Sequence, residues 1–356
     1  MLSQSGCAID ETSISEDSMA SFASDNTAPV HPKVLAALAT ANNGAAPAYG
    51  NDRVTARLRE TVAEVFHCPD VSVFPVFNGS ACNGLALARM IRPYESILCH
   101  RQAHINNDEC GLPEFFTGGK IVPIDGFGAK LTVAAIGDTI AHALEHAPHT
   151  SRPRAISLTQ STELGTVYSM DELATLTAFA RTHGLYVHMD GARIANAVAS
   201  LGCAPHEVVK GVDILSFGGT KNGAMLAEAA VIFNPVLAED FAYIHKRAGQ
   251  LPSKARFVSA QLQALLEDGL WLELGGHANA MARLLAEGLQ TVAGVALLYP
   301  VEANELFVTL PRPVAQKLFA KGHQFYPWPA EGPEAYRLVT SFATTKAEVD
   351  GFLGEL

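Results

Sequence analysis

Ile214-Leu215-Ser216-Phe217-Gly218-Gly219-Thr220-Lys221-Asn222-Gly223 is the stretch that decides the fold of this chain. It opens as a short apolar strand and ends on a lysine boxed in by glycines. Glycines at a strand end permit a tight turn and the close approach of a bulky group to the backbone. A lysine partly desolvated there loses its proton easily and becomes a nucleophilic amine. Taken alone, Lys221 reads equally well as an exposed loop lysine, so its neighbours have to decide.

Upstream of this stretch, short apolar runs alternate with helical ones. Strands are expected at residues 71–77, 96–99, 120–124, 155–159 and 185–189, then at 214–217 and 229–233. Helices are expected after the first strand as far as Met90, at 133–146, and at 171–183. Strands alternating with helices of this length predict a mainly parallel α/β sheet. Past residue 255 the texture changes. A long helical stretch at 259–293 leads into strands at 296–299, 305–310 and 336–340, with a helix at 313–321. That mixed order predicts a smaller C-terminal α+β domain, residues 256–356, after a large domain spanning 19–255. Residues 1–18 are polar and acidic and read as a disordered extension, with Met19 a second candidate start.

Ligands of open parallel sheets bind outside the carboxyl ends of the strands. Three such ends carry chemistry here. The run at 71–77 leads into Asn78-Gly79-Ser80-Ala81, where Ser80 is a candidate helix cap and the free N–H groups of the helix start suit a phosphate. The run at 185–189 leads into Asp190, which is either a functional carboxylate or a plain helix cap. The third end carries Lys221. Pyridoxal 5′-phosphate (PLP) needs an amine for its Schiff base, an acid facing its pyridine nitrogen, and an anion cradle. Lys221, Asp190 and the Gly79-Ser80 turn supply all three. A nicotinamide fingerprint and a Walker-type phosphate loop are both absent from the sequence.

Composition agrees with a soluble enzyme. The 356 residues include 48% hydrophobic and 17% charged ones, enough for a large core. A formal net charge of −11 argues against nucleic-acid or anionic-membrane partners. The six cysteines form no CxxC pair and fit no zinc spacing, so no metal is expected and a reducing, cytoplasmic setting is. No apolar run approaches the ~18 residues of a membrane span, and no signal peptide is evident.

The ordered set of motifs resembles the threonine aldolase family of fold-type I PLP enzymes. The carrying pieces are Ser24-Asp25-Asn26-Thr27, Tyr49-Gly50-Asn51-Asp52, Phe77-Asn78-Gly79-Ser80-Ala81 and Ala103-His104. They continue with His188-Met189-Asp190-Gly191-Ala192-Arg193, Thr220-Lys221 and Arg337-Leu338-Val339-Thr340. The resemblance implies a PLP-dependent transferase-like fold: a mostly parallel seven-stranded sheet flanked by helices, plus the small domain. It implies cleavage of a β-hydroxy-α-amino acid (L-threonine, L-allo-threonine or phenylserine) to glycine and an aldehyde. It gives Lys221 the Schiff base, Asp190 the pyridine nitrogen, Gly79 and Ser80 the phosphate, and His104 the ring face. Arg193 falls beside the cofactor. Ser24 and Arg337 fall to the substrate carboxylate, with Tyr49 beside the substrate. Lys254, or Arg247 near it, reaches a phosphate in a neighbouring subunit, which implies a homodimer or homotetramer with shared sites.

One departure stands out. Where the family pattern has a histidine after the strand at 155–159, this chain has Gln160-Ser161-Thr162-Glu163. Glu163 in that place resembles the branch that includes phenylserine aldolases. The acceptor of the β-hydroxyl proton stays open between His104, Glu163 and water. Other readings of the same residues are a β-hydroxy amino acid transaldolase, a PLP aminotransferase, and a non-catalytic PLP-fold protein.

Overall fold

The computed structural model describes residues 20–356, so the acidic extension and Met19 lie outside the described residues. The main sheet has seven strands: β1 (Ser72–Val76), β2 (Glu95–His100), β3 (Lys120–Ile124), β4 (Arg152–Thr159), β5 (Tyr186–Gly191), β6 (Ile214–Gly218) and β7 (Glu228–Ile232), in the order β1-β7-β6-β5-β4-β2-β3. All pairings from β3 across to β6 are parallel, while β7 runs antiparallel to both β6 and β1. The expected α/β sheet is therefore present. The reversed β7 delivers its first residue, Glu228, to the edge where the other strands end.

Both sheet faces are covered. Ala229 and Val231 pack in one apolar cluster, and Ala230 and Ile232 in another on the opposite face. This is the two-residue period of a strand with no solvent face, and it explains why β7 reads as a continuous apolar run.

A second sheet, in the order β10-β11-β9-β8, joins β8 (Ala296–Leu297), β9 (Glu305–Thr309), β10 (Tyr326–Pro327) and β11 (Ala335–Val339). The chain enters beside it. Ala20 and Phe22 pack into its core, and Ser21 bridges Gln324. This entry segment was grouped by sequence with the large domain.

The helix expected at 259–293 is two helices, Arg256–Leu266 and Leu270–Leu289. Asp268 (φ 54°) and Gly269 (φ 70°) are left-handed and break the run between them. Val258, Leu262, Leu265, Trp271 and Leu274 pack against the main sheet. Ala282, Leu285 and Leu289 pack in the small core. The core thus changes within the helix Leu270–Leu289, well after the textural change at residue 255. Among the described residues, no helix is long and apolar enough to cross a membrane.

Candidate active site

Asp190 lies at the end of β5 with 4% of its surface exposed. Its Oδ2 accepts from the Asn83 amide at 2.8 Å, and its Oδ1 from the Ala192 N–H at 3.0 Å. Behind it His188 is sandwiched between the Ser157 and Ser216 hydroxyls, and burial pushes its imidazole down to about 4. The strand end therefore carries one carboxylate aimed into a cavity of about 390 Å³, whose lining includes Asn78, Gly79, Ser80, His104, Glu163 and Lys221. Asp190 bonds the Ala192 N–H of its own loop but no backbone N–H of the helix Ile194–Leu201 that follows, so the plain-cap reading does not account for it.

Lys221 sits three residues past β6, in a single 3-10 turn, and its side chain makes no hydrogen bond among the described residues. The flanking glycines allow a close approach of other backbone. A Cβ on Gly218 would fall 2.6 Å from the Ala192 carbonyl oxygen, and one on Gly219 would fall 2.5 Å from that of Ala227. The neighbour that leaves no room for a Cβ at either glycine is the chain itself. These glycines let the Lys221 turn press against the Asp190 loop. Glu228 then fixes the turn: its carboxylate accepts from the N–H groups of Gly219 and Thr220, and burial raises it to about 7. Nothing in the local sequence marked Glu228, because its place depends on the reversed direction of β7.

The anion cradle also differs in detail. Asn78, not Ser80, caps the helix Gly79–Met90, with its Oδ1 accepting from the Ala81 N–H at 2.8 Å. Ser80 stands inside the first turn, two residues past the cap position, which leaves its hydroxyl uncommitted. The N–H groups of Gly79 and Ser80 fall in the first turn, where a helix offers them no internal partner. A Cβ on Gly79 would meet no atom within 4 Å. It would stand in the cavity itself.

Glu163 is half-buried, lining both cavities beside the His104 turn. Its Oε1 accepts from the Thr159 hydroxyl at 2.7 Å and from the His104 backbone N–H at 2.9 Å. Its Oε2 is buried with no partner among the described residues. Burial pushes this carboxyl up to about 7. His104 in turn pairs through Nδ1 with Glu109 at 2.9 Å, a residue the sequence reading passed over.

The cavity continues into a neighbouring one of about 560 Å³, lined in part by Ser24, Leu164, Trp328 and Arg337. Arg337 donates from Nη2 to the Ala23 carbonyl at 3.2 Å and lies over the Trp328 ring. Its Nε is buried with no partner among the described residues. Arg193 lines both cavities, yet its guanidinium is committed: Nε and Nη2 donate to Asp25 at 2.7 and 3.0 Å, and Nη1 lies 3.2 Å from Glu305. Tyr49 and Lys254 line neither cavity. Both are exposed, and the Tyr49 N–H donates to the carbonyl of Ser253, next to Lys254. Arg247 lines neither cavity either.

An unbonded lysine, a buried carboxylate and a helix start opening on one cavity form the donor set that PLP requires. The sequence profile of the beta-eliminating lyase family matches residues 21–312. The chain belongs to that family. Within it, the low specificity L-threonine aldolase of Pseudomonas aeruginosa is 47% identical over 87% of this chain and 90% of its own. That of a Pseudomonas species is 44% identical over 94% and 96%. A solved threonine aldolase from Leishmania major superposes with a TM-score of 0.89 at 31% identity, covering 94% of this chain and 98% of that one.

Proposed function

We propose that this member of the family is a PLP-dependent aldolase that cleaves a β-hydroxy-α-amino acid to glycine and an aldehyde. One observation carries the reading. Lys221 and Asp190 face a cavity that also holds an acid with a buried, free oxygen, Glu163.

When bound, PLP supplies an electron sink for the bond that breaks at the substrate Cα. Lys221 is its covalent anchor. Asp190 keeps the pyridine nitrogen protonated, while Asn83 holds the orientation of Asp190. Gly79 and Ser80 offer N–H groups and a hydroxyl to the phosphate. Ser24 and Arg337 take the substrate carboxylate, and a guanidinium suits that contact in bidentate form. This grip selects which bond at Cα is presented for cleavage. Oε2 of Glu163 accepts the β-hydroxyl proton, and at about 7 its carboxyl is matched to proton transfer near neutral pH. His104 lines the same cavity as Glu163 and Lys221 and would stack on the cofactor ring.

The proposed assembly is a homodimer or homotetramer with shared sites, acting in the cytoplasm on a small amino acid. Tyr49 supports the shared site, since it is 50% exposed with a φ of 58° and sits beside Lys254. Sedimentation at micromolar concentration tests the assembly, and a monomer there rejects it.

The deciding assay couples aldehyde release to a reporter enzyme, with L-threonine, L-allo-threonine and L-phenylserine as substrates. Aldehyde release by the wild type and its loss in Lys221→Ala is the expected result. Holoenzyme that shows the visible absorbance of bound PLP, yet releases no aldehyde from any of the three, overturns the reading.

A further inference from the structure

Glu109 lies just beyond the short helix His104–Asn107, and the chain turns back there through Cys110 at φ 53°. Its side chain is fully enclosed. One oxygen of Glu109 accepts from both His104 Nδ1 at 2.9 Å and Asn83 Nδ2 at 2.8 Å. The same Asn83 nitrogen donates to Asp190 at 2.8 Å. The Asn83 amide therefore spans two carboxylates, one behind the imidazole and one placed for the pyridine nitrogen. A histidine whose Nδ1–H is held by a carboxylate has its tautomer and ring plane fixed, with Nε2 turned away from that partner.

We infer that Glu109 is the positioning residue for His104 in the aldolase reaction, and that Asn83 ties its orientation to that of Asp190. The inference rests on the aldolase reading above. The groups facing His104 are Glu109 on its own segment, Glu163 after β4, Asp190 at the end of β5, and Lys221 after β6. The bond to Glu109 is the largest influence holding the imidazole above its ordinary range; Asp190 adds to it, while burial and Lys221 oppose it. Burial in turn pushes the Glu109 carboxyl up, and the bonds from His104 and Asn83 pull it back. Glu109 itself lines neither cavity, so its effect on the reaction passes through His104.

The test compares wild-type holoenzyme with Glu109→Gln, which keeps the shape and the acceptor oxygen but removes the charge. Glu109→Asp serves as the variant that retains charge. Imidazole-labelled protein, with the His104 signal assigned by substitution, gives the titration midpoint of His104 by NMR. In Glu109→Gln the midpoint moves to lower pH and kcat falls roughly 10–100-fold, the range seen when the carboxylate partners of metal-bound histidines are removed, while KM stays within about twofold. In Glu109→Asp the midpoint stays closer to that of the wild type. An unchanged midpoint in Glu109→Gln overturns the inference, whether or not kcat falls, because a merely structural role would lower activity without moving it. If wild-type enzyme releases no aldehyde, the aldolase reading fails on that ground alone, and the midpoint still decides whether Glu109 controls His104.

Discussion

One oxygen of Glu163 takes two hydrogen bonds and the other takes none, and burial holds the acid at about 7 instead of the ordinary 4.5. A base must be deprotonated to act, so kcat/KM should rise with pH through about 7 in the wild type. In Glu163→Gln that limb should vanish and kcat should fall by about 10²–10⁴-fold, measured as a pH–rate profile. Stability should carry the same signature with its sign reversed. An acid whose folded value is raised costs stability as pH climbs from 4.5, and the cost is complete above about 7. Relative to the wild type, Glu163→Gln should therefore gain about 3 kcal/mol between those limits, read from denaturant midpoints at several pH values. Single residues were unevenly legible in the sequence. Lys221 and Asp190 announced themselves by their places at and just beyond strand ends. Asn83 gave no signal because its partner Asp190 lies far along the chain, and Glu109 gave none because no motif ties it to His104, five residues before it. Arg193 reached the expected cavity, but no local pattern could show that Asp25 and Glu305 would claim its guanidinium.

Strand ends and the turns between them set the site at the next scale. The turn after β6 meets the turn after β5 at distances that leave no room for a methyl group at Gly218. Gly218→Ala should destabilise the protein by about 1–3 kcal/mol, as overpacking does, and should also weaken PLP retention by pushing the Lys221 turn off the Asp190 loop. Chemical denaturation and a visible-absorbance titration with PLP check the two effects separately. Unchanged stability would mean that the Asp190 loop yields freely. Most elements were legible, because two-residue and helical periods are local properties of the chain. What the sequence left unread came from chain direction and from single backbone angles. The reversal of β7 brought Glu228 under the lysine turn, and the left-handed pair Asp268-Gly269 divided one expected helix into two.

Across the whole molecule, three parts of the chain converge at Arg193: the entry segment through Asp25, the main sheet through the end of β5, and the small sheet through Glu305. The pairing is buried. Removing one partner would strand charge, at a cost of about 3–5 kcal/mol. Composition had suggested a division at residue 255, because texture changes where strands give way to helices. Packing does not follow texture, and the helix Leu270–Leu289 contributes Trp271 and Leu274 to one core and Leu285 and Leu289 to the other. Each of those larger apolar side chains secures about 1.5–3 kcal/mol by burial. A rod with both ends embedded has a thermodynamic consequence. Neither core can melt while the other keeps the helix, so calorimetry should record one cooperative transition with a calorimetric enthalpy equal to the van't Hoff value, not two separable steps.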